Sequence, residues 1–329
     1  MSVPRFFWFM LVIAFSFLLK IPIITASQKI ISSPKTERNK TIAIVIRSQQ
    51  IAAYNEAIDG FEEGCKGMNI TVNAIYDLKG DTEESKRVIQ AIRNREQKPQ
   101  LILAIGVLAA TLAKDQFADI PVIFCMVINH ERFNLRGANI TGISSEASLE
   151  DQFTLLREIL GLRKNVGVIY DPKKTGKIIS DAINVAKKFE INLLKREVSS
   201  EREVDAALKD IINDIDALWI IPDGTVITKD SLDAILKNTL KKRLPTFCTS
   251  NALVKAGALI SISPDYAYTG FQAAQLAQAL LNNQTITSLG IKQPDKLKLT
   301  INTHVAEMIG INLSSLRSRS DIIFYHENK

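Results

Sequence analysis

The sequence predicts an α/β protein with two Rossmann-like lobes, each built around a parallel sheet. Short apolar segments alternate with amphipathic helical segments, which is typical of βαβ units. One strand–turn–helix–strand unit also occurs twice, over Leu101–Val127 and again from Ala217 to Cys248. In each copy a proline, Pro121 or Pro245, precedes the second strand. The length of 329 residues exceeds what one ordinary core requires and suits two lobes.

The N-terminus has the pattern of a secretory signal peptide. Arg5 precedes the apolar run Phe6–Leu19, and small residues follow up to Ser27. Residues 1–27 are therefore predicted to be a signal peptide and residues 28–40 a polar linker, with an uncleaved membrane anchor as the alternative. Either interpretation places the protein in the periplasm or another extracytoplasmic compartment.

The first half of the chain contains continuous apolar runs rich in β-branched residues, which predict strands that are covered on both faces. Between them, apolar residues recur at helical spacing, as in the series from Tyr54 to Cys65. The predicted strands are Thr41–Ile46, Ile70–Tyr76, Leu101–Ile105 and Val122–Val127, with a short extended segment at Asn139–Gly142.

The same alternation starts again after this segment. An alanine-rich helix is predicted over Tyr266–Leu281, and residues 317–329 are expected to form a charged, loosely held tail. The predicted strands are Val166–Tyr170, Leu193–Val198, Ala217–Ile221, Thr246–Cys248, Ala258–Ile262 and Leu297–Ile301.

Composition and motifs argue against several function classes. The net charge is +6, but basic residues are interspersed with acidic ones and lack interleaved aromatics, so nucleic-acid binding is not expected. The three cysteines and three histidines lack metal-ligand spacing. No phosphate loop, dinucleotide fingerprint or nucleophile elbow occurs in the sequence. We therefore expect neither an enzyme nor a cofactor or metal.

The turns that follow the strands are the expected ligand site, because open parallel sheets bind ligands beyond the carboxyl ends of their strands. Helix N-termini there suit a carboxylate, and aspartates suit an ammonium or hydroxyl group. The candidate binding residues are Ser48, Gln49, Tyr54, Gly106, Ala109, Asn129, Tyr170, Asp171, Asp223, Thr225, Ser250 and Asp265. Each aspartate has an alternative interpretation as a turn or capping residue, and Gly106 suits a tight strand-to-helix turn.

Several short motifs resemble the substrate-binding proteins of ABC transporters, including binders of tryptophan and other aromatic amino acids. The resemblance covers roughly Thr41 to Ile311. Two positions depart from the usual family pattern: Val107 stands where threonine is common, and Asn129-His130 stand where Asp-Pro is common. The motifs are Ile105-Gly106-x-x-Ala109-Ala110, Pro121–Phe124, Gly137–Gly142, Val166–Tyr170, Pro222–Val226 and Gly257–Leu259 followed by Asp265-Tyr266.

This resemblance implies a type I periplasmic-binding architecture with a three-segment hinge. Lobe 1 would comprise residues 41–142 and 264–290, and lobe 2 residues 143–263 and 291–316. The implied function is capture of a small molecule and its delivery to an ABC permease in the inner membrane. Because helix N-termini and aspartates at the strand ends offer partners for both a carboxylate and an ammonium group, we expect the ligand to be an amino acid or similar zwitterion. We also expect the protein to be a monomer. A ligand sensor that feeds a signalling partner is the alternative.

Overall fold

The computed structural model describes residues 40–161, 164–282, 287–314, 316 and 319–326, apart from the side chains of residues 159 and 160. The predicted signal peptide and all but the last residue of the predicted linker lie outside this part of the chain. Within it, no helix has the length and apolar character needed to cross a membrane.

The first lobe contains a six-stranded sheet in the order β11-β5-β4-β3-β1-β2, with parallel pairing throughout. Strands β3, β4 and β5 are buried along their whole length, because apolar helical layers cover both faces. The strands are β1 Thr41–Arg47, β2 Ile70–Asp77, β3 Leu101–Ile105, β4 Val122–Val127, β5 Ile140–Ser144 and β11 Ile291–Lys292.

Four helices cover the first sheet. They are α1 Ala52–Cys65, α2 Thr82–Arg93, α3 Val107–Gln116 and α9 Tyr266–Asn282. Helices α1 and α9 pack with their backbones almost in contact. A Cβ on Gly60 would lie 1.9 Å from the carbonyl oxygen of Ala267, and one on Gly270 would lie 1.9 Å from that of Ala57. Glycine at both positions is what allows this approach.

The second lobe contains a seven-stranded sheet in the order β13-β12-β10-β9-β8-β6-β7, in which only the β10–β12 pair is antiparallel. Its strands are β6 Asn165–Tyr170, β7 Asn192–Glu197, β8 Ala217–Ile220, β9 Thr246–Cys248, β10 Ile260–Pro264, β12 Leu297–Asn302 and β13 Ile322–Tyr325. Its helices are α4 Leu149–Leu160, α5 Pro172–Lys188, α6 Val204–Ile211, α7 Lys229–Lys241, α8 Asn251–Lys255 and α10 Thr303–Ile309.

Within the described residues, the chain crosses between the two sheets three times. The crossings follow β5, follow β10, and connect β11 with β12. Each sheet keeps its own apolar core, because each group of packed buried side chains contains residues of one lobe only. The predicted α/β class with two mostly parallel sheets is confirmed, and so is the repeated unit, which appears as β3–α3–β4 and β8–α7–β9.

Four segments differ from the sequence expectation. Ile143 and Ser144, assigned from the sequence to lobe 2, belong to β5 of the first sheet, and Pro264, assigned to lobe 1, pairs with Leu297 in the second sheet. Ile291 and Lys292, assigned from the sequence to lobe 2, pair with Gly142 and Ile143 in the first sheet. The expected loose tail contains β13, which pairs in parallel with β12. The reason is that this apolar segment, Ile-Ile-Phe-Tyr, finds an open strand edge on which to pair its backbone.

Candidate functional site

A cleft lies between the carboxyl ends of the two sheets and consists of two adjoining chambers. The apolar chamber has a volume of about 370 Å³, and the polar chamber one of about 220 Å³. Glu146, Pro222 and Thr249 line both. Glu146, in the crossing after β5, and Gln293, in the crossing between β11 and β12, line the cleft, and so does Tyr266, the first residue of α9 after the crossing that follows β10. The cleft is therefore bordered by all three connections between the lobes.

Glu146 is the half-buried carboxylate at the junction of the chambers. Its Oε1 accepts a hydrogen bond of 2.8 Å from the backbone N–H of Asn129. Burial raises the pKa of Glu146, the charge of Glu131 adds to the rise, and the Asn129 hydrogen bond opposes it. Among the described residues, no basic side chain forms an ion pair with it. Glu146 is therefore a carboxylate that a cationic group could stabilise.

The apolar chamber has aromatic and aliphatic walls. Tyr54 and Tyr266 contribute to it from α1 and α9, together with Met126. Ile51 and Ile128 also line it and remain 39% and 49% exposed, which is unusual for large aliphatic side chains. An apolar ligand group would remove this surface from water.

The first turn of α1 borders the apolar chamber through Ile51, Ala53 and Tyr54. Ile51 occupies the N-cap position and cannot accept a hydrogen bond through its side chain, and no acidic residue lies in the first turn. The backbone N–H groups at such an end carry a partial positive charge. This helix end can therefore receive a carboxylate.

Met126 adopts a left-handed backbone conformation, with φ of 59°, at an irregularity in the pairing of β4 with β5. This conformation is uncommon for a bulky residue, and its cost must be offset by the surrounding structure. Its position places an irregular strand end beside the chamber that Met126 lines.

Trp219 and Gln152 line one side of the polar chamber and fix one another. The indole Nε1–H of Trp219 donates to Gln152 Oε1 at 3.2 Å, and Gln152 Nε2 donates to the carbonyl of Ala147 at 2.9 Å. His130 also lines this chamber, and burial lowers its pKa. Within the described residues its Nδ1 has no hydrogen-bond partner.

Three of the predicted binding residues, Tyr54, Asn129 and Ser250, line the cleft. Behind Tyr54, Ser48 Oγ accepts from the N–H of Ala109 at 3.0 Å and donates to the carbonyl of Ile105. Gly106, with φ of 85°, leaves room for both hydroxyls, because a Cβ there would lie 2.5 Å from Tyr54 Oη and 2.6 Å from Ser48 Oγ. These residues support the Tyr54 side of the chamber.

Asp171, Asp223 and Thr225 form a closed hydrogen-bond network in the second lobe. Asp223 Oδ2 accepts from the N–H of Asp171 at 2.8 Å and from Thr175 Oγ1 at 2.5 Å. Thr225 donates its N–H to Asp223 Oδ1 and its hydroxyl to Asp171 Oδ2, each at 2.8 Å. Asp223 is completely buried. The geometry thus favours the turn-forming alternative for these residues.

Tyr170, Asp265 and Gln49 have contacts of their own. Tyr170 donates its hydroxyl to Glu197. Asp265 accepts from the N–H of Tyr268 at the start of α9 and pairs with Lys298 at 3.1 Å. Gln49 is exposed, and its side-chain amide oxygen lies near Gly80. None of the three is among the residues that line the two chambers.

Glu146, Tyr266 and Met126 line the cleft but are not among the binding residues that the sequence predicts. Glu146 follows the short strand β5 within Ser-Ser-Glu, a strand-end turn of the same kind as the others. The sequence predicts a boundary between lobes after Gly142, and a boundary gives no reason to expect a binding carboxylate. The signal that could have found it is its position immediately after a buried strand.

Residues 41–318 match the family described as "ABC transporter substrate binding protein". A tyrosine-binding protein from Clostridioides difficile (strain R20291) is 26% identical over 213 residues, which make up 62% of this chain and 61% of that protein. The alignment thus spans less than two thirds of that relative. An uncharacterized protein from Rickettsia prowazekii is 19% identical over 88% of this chain and 90% of its own length.

Solved structures share the fold at low sequence identity. A ligand-free, open substrate-binding protein with adhesive properties from Clostridium difficile has a TM-score of 0.75 and 19% identity, covering 88% of this chain and all of that one. The ABC domain from Streptococcus pneumonia in complex with L-Trp has a TM-score of 0.64 and 18% identity, covering 86% of this chain and all of that one. Both have the type I periplasmic-binding fold that the sequence predicts here.

Proposed function

The chain belongs to the family of ABC transporter substrate-binding proteins, and on this premise we propose that it is the extracytoplasmic component of an importer for an amino acid with an apolar or aromatic side chain. The protein acts as a monomer, binds the amino acid between its lobes and presents it to a permease in the membrane. The predicted signal peptide would direct its export.

The observation that carries this proposal is an unpaired carboxylate beside an apolar chamber. Glu146 has no basic partner among the described residues and is half-buried, so an ammonium group would compensate for its lost hydration. The neighbouring walls are Tyr54, Met126 and Tyr266. A ligand that combines a cation with a sizeable apolar group matches both features.

The remaining ligand group is a carboxylate. The uncapped N-terminus of α1 borders the same chamber and offers N–H groups with a partial positive charge. Ser250, on the opposite side of the cleft, adds a hydroxyl. In this arrangement the ammonium lies at Glu146, the carboxylate at the start of α1, and the side chain between Tyr54 and Tyr266. The tyrosine-binding relative and the L-Trp complex are consistent with the ligand class.

Closure of the lobes would complete the site. Ile51 and Ile128 are about half exposed in the cleft, and approach of the second lobe over a bound ligand would bury them. The three crossing segments are where such a hinge motion would occur. The buried ligand and the closed surface would together form the species that the permease recognises.

The test is calorimetric titration of the mature chain, residues 28–329, with L-tyrosine, L-phenylalanine, L-tryptophan and L-leucine. Titration with the corresponding amines, which lack the carboxylate, and with the corresponding deaminated acids, which lack the ammonium group, separates the contributions of these two groups to the binding free energy. At least one amino acid should bind, and Glu146→Gln should weaken it about 10- to 150-fold, because hydrogen bonds to charged groups contribute about 1.5–3 kcal/mol.

Glu150→Gln is the matched control, since Glu150 is exposed on α4 and lies outside both chambers. It should bind like the unaltered chain. Binding of none of these amino acids, or equal affinity in the Glu146→Gln variant, would contradict the proposed ligand class.

A further inference from the structure

Asn129 holds together three parts of the molecule that meet at the cleft. Its backbone N–H donates to Glu146 Oε1 at 2.8 Å. Its side-chain Nδ2 donates at 3.2 Å to the carbonyl of Lys174, which lies in the first turn of α5 in the second lobe. One residue at the end of β4 therefore contacts both the cleft carboxylate and the opposite lobe.

The backbone conformation of Asn129 orients both donors, its N–H and its side-chain amide. It lies in the left-handed region, with φ and ψ both at 50°, where asparagine and glycine are favoured over other residues. A second contact follows one helical turn further along α5, where Lys177 pairs with Glu131 at 3.3 Å. Both partners of this ion pair are largely exposed, so we assign it only a minor contribution.

We infer that Asn129 is a positioning residue that couples Glu146, the carboxylate of the cleft, to the approach of the two lobes. Its N–H fixes the orientation of Glu146, and its side chain stabilises the arrangement in which α5 lies close to β4. The coupling part of this inference rests on the proposed function, because it needs a ligand at Glu146. The inter-lobe contact itself does not.

The two hydrogen bonds of Asn129 respond differently when the lobes separate. The Asn129–Glu146 bond lies within the first lobe and its crossing segment, so it persists. The Asn129–Lys174 bond joins residues of different lobes, so it is lost in any conformation that moves α5 further from the end of β4 than in this structure. A bond that exists in only one of two conformations shifts the equilibrium toward that conformation by its own net free energy. A larger population of the conformation that holds this bond raises the apparent affinity of any ligand that binds that conformation preferentially.

Asn129→Gly is the informative variant, because glycine keeps the left-handed backbone and the N–H to Glu146 but removes the amide side chain. Asn134→Gly is its matched control. Asn134 has nearly the same backbone conformation, with φ of 48° and ψ of 44°, in the same loop. Within the described residues its side chain makes no hydrogen bond to the second lobe.

The experiment measures the distance between the lobes by electron paramagnetic resonance in the ligand-free protein. Spin labels are attached at Asp115→Cys on α3 and Lys187→Cys on α5, both exposed, while the native cysteines are buried. Asn129→Gly should move the distance distribution toward longer values, and Asn134→Gly should leave it unchanged. An unchanged distribution in Asn129→Gly, or the same shift in both variants, overturns the inference.

Ligand binding supplies the second readout. Asn129→Gly should weaken the amino acid identified above about two- to tenfold, in line with one neutral hydrogen bond, without changing how affinity varies with pH. A changed pH profile would mean that Glu146 itself had moved, which contradicts the separation of roles. If no amino acid binds the unaltered chain, the proposed function fails, whereas the distance measurement still decides whether Asn129 joins the lobes.

Discussion

Replacing Asp223 by alanine should destabilise the second lobe and leave ligand affinity nearly unchanged. Asp223 is fully buried and accepts three hydrogen bonds, from the N–H groups of Asp171 and Thr225 and from the hydroxyl of Thr175. Alanine removes both oxygens and leaves three buried donors without this acceptor. The sequence alone predicts a ligand contact for this residue, so the experiment separates the two roles.

The magnitude follows from those three bonds. A hydrogen bond to a charged acceptor contributes about 1.5–3 kcal/mol, but losses that share one acceptor do not add in full. We therefore expect the free energy of unfolding to fall by about 3–5 kcal/mol, which is in the range for breaking a buried polar network. At about 2–4 °C for each kcal/mol, the melting temperature should fall by about 6–20 °C.

Differential scanning calorimetry of the ligand-free chain measures this change, and titration below the melting range gives the affinity. Asp223→Asn is the control, because an amide oxygen can replace one carboxylate oxygen and should recover part of the loss. A melting temperature within 2 °C of the unaltered chain would refute the reasoning, most clearly if ligand affinity fell at least tenfold at the same time.

Three further predictions concern packing, titration and thiol reactivity. Gly270→Ala should lower the free energy of unfolding by about 1–3 kcal/mol or more, since its Cβ would lie 1.9 Å from the Ala57 carbonyl oxygen. Gly176→Ala should be neutral or stabilising by up to about 1 kcal/mol, since its Cβ would meet only Pro172 Cβ at 3.7 Å. Urea unfolding compares the two variants, and equal effects would contradict the close helix packing. Burial raises the pKa of Glu146 above its ordinary 4.5, so the folded state favours its protonated form, and the stability from this group should be lost as pH rises through the raised pKa. Affinity for an ammonium ligand should instead fall as pH drops through the same pKa, because the carboxylate becomes neutral. Calorimetric titrations across pH should therefore show a different slope of affinity against pH in the unaltered chain and in Glu146→Gln. The three cysteines are free and buried, and burial raises the pKa of each thiol to about 12. Iodoacetamide at pH 8 should therefore modify them only after denaturation. Rapid modification of the native chain would show that one of these sites opens.

Much of the fold could be predicted from local patterns. The buried runs of β3 and β4 appear in the structure with the predicted bounds, because uninterrupted β-branched and aliphatic residues have few alternatives to a strand covered on both faces. The strand at Ile322–Tyr325 could not be predicted in this way. Its pairing depends on a free edge of β12, which is set by a segment about twenty residues earlier in the chain.

The candidate site was predictable only in its position. Placing ligands at strand ends follows from the parallel sheet, and Tyr54, Asn129 and Ser250 do line the cleft. Whether a polar side chain at such an end faces the cleft or its own loop depends on partners that are distant in sequence. Asp171 and Asp223 are 52 residues apart, and the carboxylate of each accepts a hydrogen bond from the loop that contains the other. Neither carboxylate therefore lines the cleft.

The sequence by itself determined the alternation of strands and helices, the repeated unit and the edge of each sheet at which a ligand would bind. These features follow from the periodicity of apolar residues along the sequence, which indicates which side of a strand or helix is buried. Only the tertiary structure decided that Glu146 is a half-buried carboxylate at that edge without a basic partner among the described residues, and that Asn129 joins it to α5. The reason is that hydrogen-bond partners compete: a carboxylate can serve a ligand only where the fold has not already supplied enough donors to satisfy it.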